Sequence, residues 1–228
     1  MNRRHVRHAL LALLLAACRD PASPPPVAAA PTSAPVVLPA PPPSSPSLSP
    51  SDGAEEASPA ERYFGNAELV DQSGARHRFF VDLLKGHVVV INSFFSSCTG
   101  SCPVMAGTLA KLQQHLGDRL GREVVILSVS VDPVHDTPER LKEWAGHYSA
   151  RPGWYLLGGD PAQVKAVLGR LGQAVQAPDD HSPIMLIGNV PTGLWKKVFG
   201  LGKADEVIRI VDGVLADRGA ATAPGAAH

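Results

Sequence analysis

The chain has 228 residues, with 21 Lys+Arg balanced by 21 Asp+Glu, three cysteines and only 5% aromatic side chains. A balanced charge argues against non-specific nucleic-acid binding, which needs a basic face. No apolar run reaches the ~20 residues of a transmembrane helix, and so few cysteines exclude a disulfide-stapled mini-protein.

Thirteen of the 22 prolines fall between Asp20 and Ala60. A segment built of Pro, Ala and Ser buries too little apolar surface to offset the entropy of ordering it. The globular part is therefore placed at residues 61–217, enough for one well-buried core, with a disordered tail over 218–228.

Ahead of the Pro-rich segment, Arg3, Arg4 and Arg7 precede the apolar run Ala9–Ala17. A basic start followed by a short apolar stretch reads as a secretory signal, here residues 1–17. Leu15-Ala-Ala-Cys18 resembles the lipobox of bacterial lipoproteins, which implies that Cys18 is lipidated and becomes the mature N-terminus. Cleavage removes three Arg and no acid, so a polybasic membrane patch is excluded and the lipid would be the anchor. Residues 18–60 then read as a disordered tether; at ~3.1 Å per residue its roughly 40 residues reach ~120 Å. The expected location is the periplasmic face of a bacterial cell envelope.

Within the domain, residues 66–70 and 76–81 flank Asp71-Gln-Ser-Gly74, a strand–turn–strand signal. Residues 87–95 are nearly all apolar or β-branched, as in a strand buried on both faces. From Cys102 to Leu120 a helix is expected, with Pro103 in its first turn and Met105, Leu109, Leu112 and Leu116 at helical spacing. Residues 123–131 form a second buried strand. Asp136 and Thr137 cap a helix that carries Pro138 at its start. Trp154–Leu157 is a short strand, and Asp160-Pro161 opens a helix through Leu171. Residues 183–187 and 194–199 flank Pro191-Thr-Gly193 as a hairpin, and a last helix covers about 203–215. Alternating strands and helices imply a largely parallel sheet covered on both faces. With the closing hairpin and helix, the expected class is α/β: a thioredoxin-like fold with a central mixed sheet flanked by helices and an N-terminal β-hairpin.

The chemistry centres on Cys98-Thr-Gly-Ser-Cys102, between a buried strand and a helix N-terminus. Helix N-terminal amides stabilise thiolate, so a lowered thiol pKa is expected. The pair suits reversible disulfide exchange or binding of a soft metal. A static disulfide closing so small a loop would stabilise little. His181 is the third element, in the loop before a core strand that faces the thiol turn in such a fold; Pro183 is the candidate for a cis-proline there. Two thiolates and an imidazole suit copper, Cu(I) or Cu(II), whereas zinc would want a fourth ligand. Asp180 is a candidate partner orienting His181. Asp132 and Asp136 read as structural, closing a turn and capping a helix. His135 reads as a solvated loop residue.

Phe94-Phe-Ser-Ser-Cys98-Thr-Gly-Ser-Cys102-Pro103 resembles the Sco/SenC family signature, in which a strand ends in C-x-x-x-C-P. Ser130-Val-Asp-Pro-Val-His-Asp-Thr-Pro138 is similar to that family's S-[IV]-D-P-x-x-D-T-P, and Asp180-His181-Ser182 to its D-H-[ST]. The three motifs occur in the family's order and span essentially the whole domain. The resemblance implies a membrane-tethered, thioredoxin-fold copper protein with Cys98, Cys102 and His181 as ligands. Its expected role is to deliver copper to the dinuclear site of cytochrome c oxidase subunit II, or another cuproprotein, or to prepare that subunit's thiols; a thiol reductase would be a further partner. The chain departs from the family at Thr99-Gly-Ser101, where an acidic residue is common, and at His135, where Arg is common. Two other functions compete. A thiol–disulfide oxidoreductase would use Cys98 and Cys102 as its redox pair and need no His181. A peroxidase of the peroxiredoxin class would need a Pro upstream of its Cys that Asn92–Cys98 lacks.

Overall fold

The computed structural model describes residues 57–219. The expected signal, Cys18, most of the tether and the tail beyond 219 lie outside them.

The first element is a helix that the tether assignment did not anticipate: α1, Pro59–Phe64, with Ser58 accepting from the Glu61 amide at 3.1 Å. It puts Pro59 and Ala60 in the folded domain. Strands β1 (Glu68–Asp71) and β2 (Arg76–Arg78) form the expected hairpin. Residues 79–81 do not extend β2 as expected; Phe79–Leu84 is a π-helical turn. The reason is local. Asp82 accepts from the Arg78 amide at 2.7 Å and from its guanidinium, and the apolar residues 79, 80, 83 and 84 are all buried, a helical rather than an alternating pattern.

There follow β3 (Val88–Phe94), α2 (Ser101–Leu116), β4 (Val124–Ser130), α3 (Pro138–His147), β5 (Trp154–Gly158) and α4 (Pro161–Arg170). The hairpin β6 (Ile184–Asn189) and β7 (Leu194–Phe199) and the helix α5 (Ala204–Ala216) close the domain. Helix α2 stops four residues short of the expected Leu120 because Gly117 caps it at φ +55° and a 3-10 turn takes over.

The seven strands form one sheet in the order β2-β1-β5-β4-β3-β6-β7. β5, β4 and β3 are parallel and the flanking strands antiparallel, so the expected mixed sheet is present. Side chains alternate across it as strand geometry requires. Val88, Val90 and Phe94 face α2, α3 and α5; Val89 and Ile91 face α1, the π-helical turn and α4. Inside this sheet runs a polar chain: the Trp154 indole donates to Ser128 Oγ at 3.1 Å, and Ser128 donates to Asn92 Oδ1 at 2.8 Å. It ties β5, β4 and β3 together with each link buried.

At one end of the sheet, Ser58 and Pro59 share a surface groove with Gly86, just before β3, and Thr192 in the β6–β7 turn. At the other end β3 leaves toward the thiol turn.

Asp71 organises the β1–β2 turn. Its buried carboxylate accepts from the Ser73 amide (2.7 Å) and hydroxyl (2.6 Å), from the Ala75 amide (3.1 Å), and faces His77 Nε2 at 2.8 Å. Burial pushes this carboxyl up, but the hydrogen bonds from Ser73, His77 and Ala75 together outweigh it and hold it below the usual range. A carboxyl lowered by folding adds stability that is full above its unfolded pKa, near 4, and is lost as the pH falls through the folded value. Asp71→Asn is therefore expected to unfold about 2 kcal/mol more easily than the parent at pH 7. The gap should shrink at pH 3; denaturant midpoints that differ equally at both pH values would refute this account.

Candidate metal centre

Three chain segments meet at the carboxyl end of β3. Phe94 pairs with Ser130 in parallel register, and the Val131 amide donates to the Phe94 carbonyl at 2.8 Å, so β4 ends beside β3. β6 runs antiparallel to β3 with Asn92 opposite Met185. The chain entering β6 thus lies where β3 leaves, and this sets the 181 loop against the 98–102 turn.

Cys98 is half-buried, on a turn closed by its own amide donating to the Phe95 carbonyl at 3.2 Å. Cys102 lies in the first turn of α2 and is 1% exposed. Both are free thiols. His181 caps a 3-10 turn over Pro178–Asp180. Its Nδ1 lies 2.9 Å from the Pro178 carbonyl, and its Nε2 lies 3.2 Å from both Cys102 Sγ and Ser101 Oγ. A carbonyl only accepts, so Nδ1 carries a proton and Nε2 is the ring nitrogen turned toward the thiols, where a neutral ring offers them a lone pair. Phe95 packs edge-on against the imidazole, centroids 5.4 Å apart, and limits its swing. One donor atom from each of Cys98, Cys102 and His181 lies within 4.8 Å of the others. Donors sharing one ion at bonds of about 2.0–2.3 Å stand at most ~4.6 Å apart, so small side-chain rotations close this set around a metal.

Burial pushes the Cys102 thiol up to about 12; Cys98 pushes it the same way, against smaller pulls from the Phe95 backbone and Ser101. This reverses the expectation that the helix N-terminus would lower it: enclosure by Phe94, Phe95, Met105 and their neighbours outweighs the helix amides. A metal taken up here displaces the Cys102 proton. Burial, then the two thiols, also push the Tyr148 phenol up. Tyr148 packs at a tilt against Trp144, and Trp144 against Phe94, each with ring centroids 4.7 Å apart.

Other expected roles change. The group that orients His181 is the Pro178 carbonyl and not Asp180, which is exposed; the 3-10 turn points the ring back over its own backbone. Thr137 caps α3, accepting from the Arg140 amide, whereas Asp136 turns inward. Asp136 is 2% exposed and accepts from the Ser96 amide (3.2 Å), the Ser96 hydroxyl and the Ser130 hydroxyl (2.6 Å), fastening β4 to the turn that carries Cys98. Sequence reasoning missed this role, since an Asp before Thr-Pro reads first as a cap. Pro183 follows a trans peptide, for no cis bond occurs among the described residues; its carbonyl accepts from the Gly200 amide at 2.7 Å and continues the β6–β7 pairing. His135 is exposed as expected and pairs with Asp132 at 2.8 Å.

Two thiols and an imidazole nitrogen gathered at one end of a thioredoxin-like sheet have the donor chemistry to hold a soft metal or to exchange thiols. The sequence profile of the SCO1/SenC family matches residues 55–187, and the chain belongs to that family. A SCO2-like protein of Rickettsia conorii is 30% identical over 125 residues, covering 54% of this chain and 58% of the relative. The chain spans less than two thirds of the length of the curated relatives it matches. Among solved structures, ScoI of Arabidopsis thaliana with copper bound aligns with TM-score 0.55 and 24% identity over 67% of this chain and 96% of that one. BsSco, described as a member of the Sco family of cytochrome c oxidase assembly proteins, aligns with TM-score 0.56 and 24% identity over 67% and 92%. At these identities the structural likeness speaks for the fold.

Proposed function

We propose that the chain is a copper metallochaperone of the bacterial cell envelope, anchored by a lipid on Cys18. It serves the dinuclear copper site of cytochrome c oxidase subunit II, either delivering copper or preparing the subunit's thiols. The observation that carries this reading is the convergence of Cys98, Cys102 and His181, one donor atom each, within 4.8 Å. Two soft thiolates and one borderline imidazole fit copper in either oxidation state, and three donors leave room for an incoming ligand. Family membership and the copper held by the Arabidopsis neighbour support the same reading. The lipid anchor is supported by Leu15-Ala-Ala-Cys18.

The reduced protein is expected to bind one copper per chain, with a sulfur-to-Cu(II) charge-transfer band when loaded with Cu(II). Loss of an outer partner alone typically costs 10–100-fold in metal affinity, so His181→Ala, which removes a ligand itself, is expected to weaken binding by about 100-fold or more and to diminish the band. Copper uptake that is absent, or indifferent to His181→Ala, would end the copper reading.

A second reading, envelope thiol–disulfide oxidoreductase, is favoured by the asymmetry of the pair: Cys98 half-exposed for attack, Cys102 buried to resolve. It predicts that His181→Ala spares thiol exchange while Cys98→Ser or Cys102→Ser abolishes it.

A further inference from the structure

A groove of about 610 Å³ lies between α1, the last turn of α4 and the edge strand β7. It opens on the α1/α4 face of the sheet, whereas Cys98, Cys102 and α2 pack on the opposite face. Three rings line it: Tyr63, Phe64 and Trp195. Phe64 packs at a tilt against Trp195, centroids 5.3 Å apart, and edge-on against Tyr63 at 4.9 Å. Trp195 stands opposite Gly188 in the β6–β7 pairing, and a Cβ on Gly188 would come within 2.4 Å of the indole. The ring therefore lies down across β6, which only a glycine there allows. The Tyr63 hydroxyl donates to the Arg170 carbonyl at 2.8 Å, and Arg170 Nη1 donates to the Phe64 carbonyl at 2.8 Å. This reciprocal pair locks the end of α4 to α1 and holds the guanidinium at the groove.

The charge on this lining has one sign. Arg170, Lys196 and Lys197 line the groove, and no carboxylate does. None of the three has an ion-pair partner among the described residues, and the hydrogen bond of the guanidinium goes to a neutral carbonyl. By strand alternation Lys197 shares the face of Trp195, and it stands opposite Leu186, which also lines the groove. Aromatic walls take up a flat apolar body. Unpaired cations beside them attract an anion, and a guanidinium grips carboxylate or phosphate through parallel N–H bonds. The volume falls within the range of small-ligand sites, roughly 300–1,000 Å³. We propose that this groove binds a small aromatic anion, an aryl carboxylate or aryl phosphate. Its ring lies against Trp195 and Phe64, and its anionic group faces Arg170 and Lys197. The site shares no residue with the thiol centre and stands whether or not that centre holds copper.

The test titrates the full, copper-free chain with two fluorescent probes. One is 8-anilinonaphthalene-1-sulfonate, a flat aromatic anion; the other is N-phenyl-1-naphthylamine, the same rings without the charge. The parent is expected to take up one sulfonate probe per chain, and phenyl phosphate should displace it. Lys197→Glu, an exposed change, should weaken the sulfonate probe about 10-fold or more, as loss of a bond to a charged group does, and leave the neutral probe unchanged. Trp195→Leu should weaken both probes. Copper stoichiometry of Lys197→Glu should match the parent, which shows that the variant is folded. Parental binding of the sulfonate probe in both variants, or uptake that never saturates, would overturn the site. Equal weakening of both probes by Lys197→Glu would overturn the role of the charge, and displacement by inorganic phosphate as strong as by phenyl phosphate that of the rings. Phosphatidylglycerol vesicles that bind the parent and not Lys197→Glu, while phenyl phosphate displaces nothing, would make the groove a membrane-facing patch and sink the small-ligand proposal.

Discussion

Asp136→Ala is expected to lower stability by about 3 kcal/mol and to weaken copper retention with it. The carboxylate is buried and gathers the Ser96 amide, the Ser96 hydroxyl and the Ser130 hydroxyl. Alanine leaves those donors without a partner in a site too tight for free solvation, and each stranded buried group costs about 1–3 kcal/mol. Ser96 lies two residues before Cys98, so the freed turn no longer fixes one of the sulfurs relative to His181. Asp136→Asn keeps the volume and one acceptor oxygen, and about half the stability should survive. Denaturant unfolding reads the first effect. The second is read by the copper charge-transfer band, which a purely structural defect elsewhere would leave in place for the folded fraction. A loss under about 1 kcal/mol for the alanine variant would show that Asp136 does not fasten the turn.

Trp154→Ala is expected to cost still more, about 4 kcal/mol, the range for truncating a large aromatic side chain in a packed core. Trp154 is 1% exposed, packs under α2 and α3, and begins the polar chain through Ser128 to Asn92. Trp154→Phe separates the two contributions. It keeps most of the apolar contact and removes only the indole donor; Ser128 keeps its bond to Asn92, so the loss should be about 1 kcal/mol. Equal losses for both variants would mean that the hydrogen bond, and not the volume, carries the effect.

The way these residues read in the sequence shows what a sequence discloses. Cys98, Cys102 and His181 were legible because strand and helix order places a strand exit and the start of an antiparallel strand at the same sheet end. Asp136 and the Pro178 carbonyl were not. Both roles depend on partners distant in sequence or on a backbone atom, and neither leaves a side-chain pattern. The same limit applies to Cys102: helix position suggested an activated thiol, but its state is set by enclosure, which comes from Phe94, Phe95 and Met105 together. The π-helical turn was misread because Phe79-Phe80-Val81 has strand-like composition, and only the burial of 79, 80, 83 and 84 betrays the winding. Helix α1 could have been found. Ser58-Pro-Ala-Glu61 has the spacing of a capping box with Pro at the first position, obscured by the Pro-rich run before it.

The groove shared by Ser58, Pro59, Gly86 and Thr192 places the chain's arrival at the end of the sheet away from the thiols. β3, seven residues long, separates the two ends by roughly 20 Å. A load applied at Ser58 therefore reaches Cys98 only through the length of the sheet.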